Sequence, residues 1–233
     1  MTIAQPIIDV EDVTFSYGNA PVLERVNLQV HDGEFLGIVG PNAGGKSTLL
    51  KIILGLLQPQ SGRTRVLGRR PRLACRMIGY VPQHPSFPRD FPITVEQVVL
   101  LGRLGVKQSG DWLGAIRPSF LHGMDREAAR RALCEVEADD LADRQIASLS
   151  GGQQQRVAIA RALAHKPSLV FADEPTGNLD RRIGKQVFDV MLELKRELGT
   201  SLVVVTHDEL IAARMERVLS LVDGRLSAEP VQA

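Results

Sequence analysis

The sequence predicts an α/β fold carrying a helical insert, and three observations predict it. Short, wholly apolar runs at Phe35–Val39, Leu169–Ala172 and Leu202–Val205 have the length and β-branched content of strands buried on both faces. Helical periodicity separates them, most clearly over Arg181–Leu198, with apolar residues at 183, 187, 190, 191, 194 and 198 and a stop at Gly199. The first apolar run leads straight into a glycine-rich loop and then a helix, the order of an anion-binding turn.

The elements follow in chain order. Ile7–Tyr17 is rich in β-branched and aromatic residues and reads as a strand; Val26–Val30 alternates as a half-exposed one, with a turn at Asp32-Gly33. Lys46–Leu57, apolar on nearly every side, reads as a buried helix ended by the Pro and Gly of 58–62. Met77–Val81 is a further strand. Pro82–Pro92 then holds prolines at 82, 85, 88 and 92, and Val95–Leu101 is helical. Gly102–Gly123 is irregular and holds the only tryptophan, Trp112; Asp125 reads as the N-cap of a helix to about Ala138. Helix returns over about Gln153–Ala164. Val218–Val222 and Arg225–Ser227 form a closing hairpin across Asp223-Gly224. The 233 residues thus suit one domain, with a core over 1–83 and 149–233 and a mainly helical insert over about 84–148.

Composition excludes several classes. Apolar residues at 44% and charged residues at 24% exclude a disordered chain. The net charge of +1, from 28 basic and 27 acidic residues, supplies no whole-protein field to attract nucleic acid, which leaves only a local basic patch open. Cys75 and Cys134 are too few for a disulfide framework or zinc ribbon and read as free thiols in a reducing compartment. Asp9, Glu11 and Asp12 near the start, without a basic flank, do not fit a signal peptide. With no apolar run near the ~20 residues of a membrane span, the expectation is a cytoplasmic chain. It would serve any membrane process as a peripheral subunit.

The chemistry is concentrated in three segments. Gly40-Pro41-Asn42-Ala43-Gly44-Gly45-Lys46-Ser47-Thr48 satisfies GxxxxGK[ST] after a strand and before a helix. Its backbone N–H groups can form an anion nest backed by the helix dipole. Lys46 suits the β- and γ-phosphates of ATP, the Ser47 hydroxyl suits Mg²⁺, and Thr48 suits the α-phosphate. Phe171-Ala172-Asp173-Glu174 ends an apolar strand in two acids. Asp173 is a candidate to hold Mg²⁺ through water, and Glu174 to polarise the attacking water. Leu149-Ser150-Gly151-Gly152-Gln153, about 20 residues ahead of Asp173, opens a helix and offers a second anion site. If the two anion sites lie far apart in one subunit, a head-to-tail dimer joins each nucleotide to both.

This motif set resembles the nucleotide-binding ATPase subunits of ABC transporters over Ile7 to about Leu226. The resemblance implies a P-loop NTPase core with an antiparallel β subdomain and an inserted helical subdomain. It implies that Tyr17 stacks on adenine and that Gln83 touches Mg²⁺ and the water. Asn178, Leu179 and Asp180 would be the loop crossing the dimer interface, and His207 the switch histidine on the γ-phosphate. It further implies ATP and Mg²⁺, a second ATP-binding subunit, expected as a homodimer, integral-membrane permeases, and a place on the inner face of the membrane. Ala43 departs from the family's usual glycine; its N–H stays usable if its φ is negative. The other histidines, 31, 84, 122 and 165, show no metal-ligand spacing and read as surface residues.

Rival classes fit less well. A P-loop GTPase or kinase does not explain LSGGQ or Thr-His-Asp. A soluble ABC ATPase acting on DNA or ribosomes lacks support from a coiled-coil insertion, a second cassette or a basic excess. Glu174 and His207 together argue against a non-catalytic regulator. Within the family the texture is mixed. Gly79–Gln83, Phe91–Leu100 and Asp140–Gln145 resemble ATPases of manganese, zinc and iron importers, which would bring a substrate-binding protein as a further partner. Ala172–Asp180, Val203–Asp208 and Leu221–Arg225 resemble the lipoprotein-release and macrolide-export group. Metal import is favoured, because the first set surrounds the lobe that meets the permease, and the apolar residues of Phe87–Leu101 are candidates for that contact, with ordinary lobe core the alternative for any one of them.

Overall fold

A computed structural model describes residues 5–85, 92–104 and 123–228. Strand β1 (Ile8–Ser16) pairs antiparallel with β2 (Pro21–Val30) on one side and β4 (Ser61–Val66) on the other, making a three-stranded sheet. The second sheet has six strands. Its centre is β3 (Phe35–Val39), lying parallel between β7 (Ser201–Thr206) and β8 (Arg217–Val222). Beyond β7 come β6 (Leu169–Asp173) and then β5 (Ile78–Val81), also parallel, while β9 (Arg225–Ser227) folds back antiparallel on β8.

Residues along the central strands alternate between two cores although all are buried, which is why they read as unbroken apolar runs. Leu36, Ile38, Phe171, Val203 and Val205 face a core shared with β1, β2 and helix α1 (Lys46–Ile53). Phe35, Val170, Ala172, Leu202 and Val204 face the other, built with α3 (Val95–Leu101), α4 (Gly123–Glu135), α5 (Gly151–Leu163) and α6 (Arg181–Leu198). The remaining helices, α2 (Pro71–Ala74) and α7 (Glu209–Ala212), are single turns.

Several expectations need correction. Helix α1 stops at Ile53 rather than Leu57, because Gly55 turns at φ 77°. Strand β4, exposed over most of its length, was not expected. Asp125 lies inside α4 rather than capping it, and pairs with Arg103, whose Nη1 donates to the Ala164 carbonyl at 2.9 Å. His165 is half-buried rather than on the surface, and burial pushes its pKa down. Most of the irregular stretch with Trp112, residues 86–91 and His122 lie outside the described residues.

Candidate functional site

The strand order positions the candidate residues before any side chain is considered. β5, β6, β7 and β3 are adjacent and parallel, so their C-terminal ends open on one edge of the sheet. Gln83 follows β5, Asp173-Glu174 closes β6, His207 follows β7 and the glycine loop follows β3. This is where open α/β sheets bind ligands.

The loop is shaped by close backbone approach. Gly40, at φ 153°, runs so near β8 that a Cβ would stand 2.1 Å from the Leu221 carbonyl oxygen; only glycine fits there. Gly44 N–H donates to the Pro41 carbonyl at 3.1 Å and closes the turn. Ala43 adopts φ 64°, so the condition set for its N–H to stay usable, a negative φ, is not met. An L-residue with a side chain costs about 1–2 kcal/mol in that region. Ala43→Gly should therefore stabilise the protein by about 1 kcal/mol, net of the glycine's greater unfolded-state freedom. Thermal melting checks this; the expected rise is about 2–4 °C.

Lys46 is buried at the first turn of α1, and its Nζ donates to the carbonyls of Gly40 at 2.8 Å and Pro41 at 2.9 Å. It stands 3.9 Å from Glu174 Oε1. The exposed Ser47 hydroxyl donates to Asp173 Oδ1 at 3.4 Å. Burial pushes the Asp173 carboxyl up from its ordinary range, and the Ser47 hydroxyl and Lys46 oppose that shift. A buried carboxylate facing a hydroxyl is an oxygen-only donor pair, the chemistry that fits a hard divalent cation.

Glu174 sits at φ 46°, held there by its N–H bond to the Val205 carbonyl at 2.8 Å. His207 Nδ1 lies 2.8 Å from Glu174 Oε2. The Thr206 hydroxyl reaches the same oxygen at 3.4 Å. Gln83 sits with its Nε2 near Gly177, on the Glu174 side; among the described residues no hydrogen bond joins its side chain to Ser47 or Asp173. A cleft of about 630 Å³ runs from Glu174 and His207 past Leu179 and Asp180 to Lys185 and Arg214.

Leu149–Gln153 forms the entry to α5. Ser150 is its N-cap: its hydroxyl accepts the Gln153 N–H at 3.4 Å, and Gln153 Oε1 accepts the Ser150 N–H at 3.0 Å. Gly152 packs so closely on α6 that a Cβ would stand 2.4 Å from Ile183 Cγ2, and Gly151 approaches Leu179. Asp180 caps α6, accepting the N–H groups of Arg182 and Ile183 at 3.0 Å each. The Asn178 amide donates to the Gln83 carbonyl at 3.3 Å and lies against the His84 ring. From the other side Gln155, buried on α5, donates to the Pro82 carbonyl at 3.3 Å. Tyr17 is exposed, edge-on to Phe15 at 4.9 Å between ring centres.

The structure therefore brings Lys46, Ser47, Asp173, Glu174 and His207 together and leaves Leu149–Gln153 and Tyr17 outside that cluster. Thr206 and Gln155 were not singled out from sequence. Thr206 precedes His207, and Gln155 is the member of a glutamine run whose helical phase faces inward, but their partners depend on strand and helix pairing.

A glycine-rich loop of the phosphate-loop pattern, a buried acid pair and a histidine on one sheet edge are the arrangement of a P-loop nucleotide hydrolase. A family model described as ABC transporter matches residues 23–177. The chain is 42% identical to the manganese transport system ATP-binding protein MntB of Bacillus subtilis, over 86% of this chain and 77% of that one. It is 42% identical to the zinc transport system ATP-binding protein TroB of Treponema pallidum, over 95% and 80%. It is 38% identical to the lipoprotein-releasing system ATP-binding protein LolD of Shewanella sp. MR-4, over 95% and 96%. Its structure is similar to the dimeric structure of the bacterial ABC transporter cassette MJ0796, with a TM-score of 0.78 and 32% identity over 97% and 99% of the two chains. The chain belongs to the ABC transporter family, as an ATP-hydrolysing cassette.

Proposed function

We propose that this cassette drives a metal-ion importer, working as a head-to-tail dimer on the cytoplasmic face of a membrane permease. The observation that carries the metal reading is the similarity to relatives named for manganese and zinc transport. Dimerisation is supported by the similarity to a dimeric cassette. The Leu149–Gln153 segment caps α5 and packs on Leu179 and Ile183 in its own chain, on other elements than the phosphate loop, and is the part proposed to meet a partner's nucleotide. Among the described residues no helix is long and apolar enough to cross a membrane, so a permease would supply the passage.

Within the site, Lys46 and the loop N–H groups bind the β- and γ-phosphates of ATP, and Tyr17 offers its exposed ring to adenine. Ser47 and Asp173 would hold Mg²⁺, with Gln83 as the candidate third contact; a bound ion would supply charge neutralisation at the phosphate oxygens. Glu174 accepts a proton from the attacking water. His207, half-exposed, turns from Glu174 to meet a γ-phosphate oxygen when ATP is bound. Ser150, Gly151, Gly152 and Gln153 face the partner's ATP, and Asn178, Leu179 and Asp180 face the partner itself. Because the two γ-phosphates are contacted fully only in the closed dimer, their differential affinity drives closure.

The permease contact needs revision. Of the residues expected there, Val95, Val98, Val99 and Leu100 are buried in the core. Leu101 is exposed beside Leu104, on a groove of about 320 Å³ that also meets Arg76, Tyr80 and Arg161. Among the described residues of the segment that groove is the exposed apolar part offered to a permease; Phe87 and Phe91 lie outside the described residues.

A lipoprotein-release role is the second reading, favoured by Ala172–Asp180 and by similarity to LolD along nearly the whole of both chains. Co-expression with metal-type and lipoprotein-release-type permeases separates them. The metal reading predicts a complex, and ATPase stimulation, with the metal-type permease alone; the reverse pairing contradicts it.

A further inference from the structure

We propose that Thr206 is a positioning residue for ATP hydrolysis, aiming the Glu174 carboxylate through its buried hydroxyl. This rests on the reading of Glu174 as the group that polarises water. Thr206 ends β7 and is 1% exposed. A buried hydroxyl needs partners, and both of those found here belong to the catalytic edge. Its oxygen accepts the Asp208 N–H at 3.0 Å, and its O–H donates to Glu174 Oε2 at 3.4 Å. The first bond occupies one lone pair, and the second is the bond its own proton makes.

The geometry gives the hydroxyl a function that packing does not require. Glu174 is already strained at φ 46°, with its N–H tied to Val205, the residue before Thr206. Its Oε2 receives Nδ1 of His207 at 2.8 Å from the exposed side and Thr206 from the buried side. His207 is half-exposed and is proposed to move onto phosphate, whereas Thr206 sits in a central strand and stays. When His207 turns to the γ-phosphate, Thr206 is the donor that remains on Oε2, leaving Oε1 for water. The 3.4 Å contact is long for an O–H···O bond, and such bonds often tighten only in the reacting complex.

The test uses purified full-length protein, with ATP turnover and nucleotide affinity measured for Thr206→Val and Thr206→Ser. Valine keeps the shape and removes the hydroxyl; serine keeps the hydroxyl. Thr206→Val should lower kcat about tenfold or more, the scale of a hydrogen bond to a charged group. KM for ATP should not change, and Thr206→Ser should restore most of the rate. Single-turnover hydrolysis in double variants assigns the route. In a Glu174→Gln background Thr206→Val should cost nothing further, because its route is already cut. An undiminished valine effect in that background, vanishing instead in His207→Ala, would place the hydroxyl's role on the Asp208 turn and overturn the proposal. Wild-type kcat in Thr206→Val would also overturn it, as would a serine variant as slow as valine. Should Thr206→Val lose its fold by thermal melting, Thr206→Ser against Thr206→Cys, the thiol being a weak donor, gives the same comparison. If Glu174→Gln alone leaves turnover intact, it is the underlying assignment of Glu174 that fails.

Discussion

Lys46→Ala should raise the Kd for ATP by about a hundredfold or more, the scale of losing a charge-assisted contact in a buried site. An ammonium carries three donors. Two are committed to the Gly40 and Pro41 carbonyls at 2.8 and 2.9 Å, and the third is the one available to a phosphate. The same substitution removes the cation 3.9 Å from Glu174 Oε1, leaving a buried carboxylate with less compensation. The fold should survive, because the α1 face that packs, through Leu49, Leu50, Ile52 and Ile53, does not include the ammonium. Titration calorimetry with ATP checks this, and unaltered affinity would remove the phosphate-loop assignment.

Glu174→Gln should lower kcat by about two to four orders of magnitude while ATP binding persists. The amide has the shape of the carboxylate, and its oxygen can still accept from His207 Nδ1 and Thr206. It cannot take a proton from water. A split between retained binding and lost turnover therefore separates a catalytic role from a structural one; steady-state ATPase assays and calorimetry on one preparation suffice. Equal loss of both would mean that Glu174 mainly supports the loop through Lys46.

The fold was legible where local pattern and tertiary burial agree. Phe35–Val39, Val95–Leu101, Arg181–Leu198 and Arg225–Ser227 occupy the segments that their periodicity predicts. Strand β4 escaped because Ser-Gly-Arg-Thr-Arg-Val has no apolar alternation; it is a strand because Ile8–Thr14 supplies its pairing partners. The valines of α3 left two readings open, a permease face or lobe core. An apolar run alone does not say which, and it is α4 and α5 that cover them.

The site was legible as motifs and not as contacts. Spacing marks Lys46, Asp173, Glu174 and His207, but only the β5-β6-β7-β3 order brings their strand ends together. Asp180 and Ser150 carry a local duty that the motifs do not state, since both cap helices in their own chain. Ala43 departs from the glycine pattern at a position whose φ of 64° explains the pattern. Thr206 and Gln155 have no spacing signature, because each is defined by a partner far away in sequence.

Whether two copies share their nucleotides across LSGGQ is decided by the solution mass of Glu174→Gln with and without Mg-ATP, using light scattering behind a sizing column. A shift from one subunit mass to two on adding Mg-ATP, abolished by a further Lys46→Ala, is the result expected of a nucleotide sandwich. A single subunit mass at nucleotide concentrations shown by calorimetry to saturate the protein would contradict it.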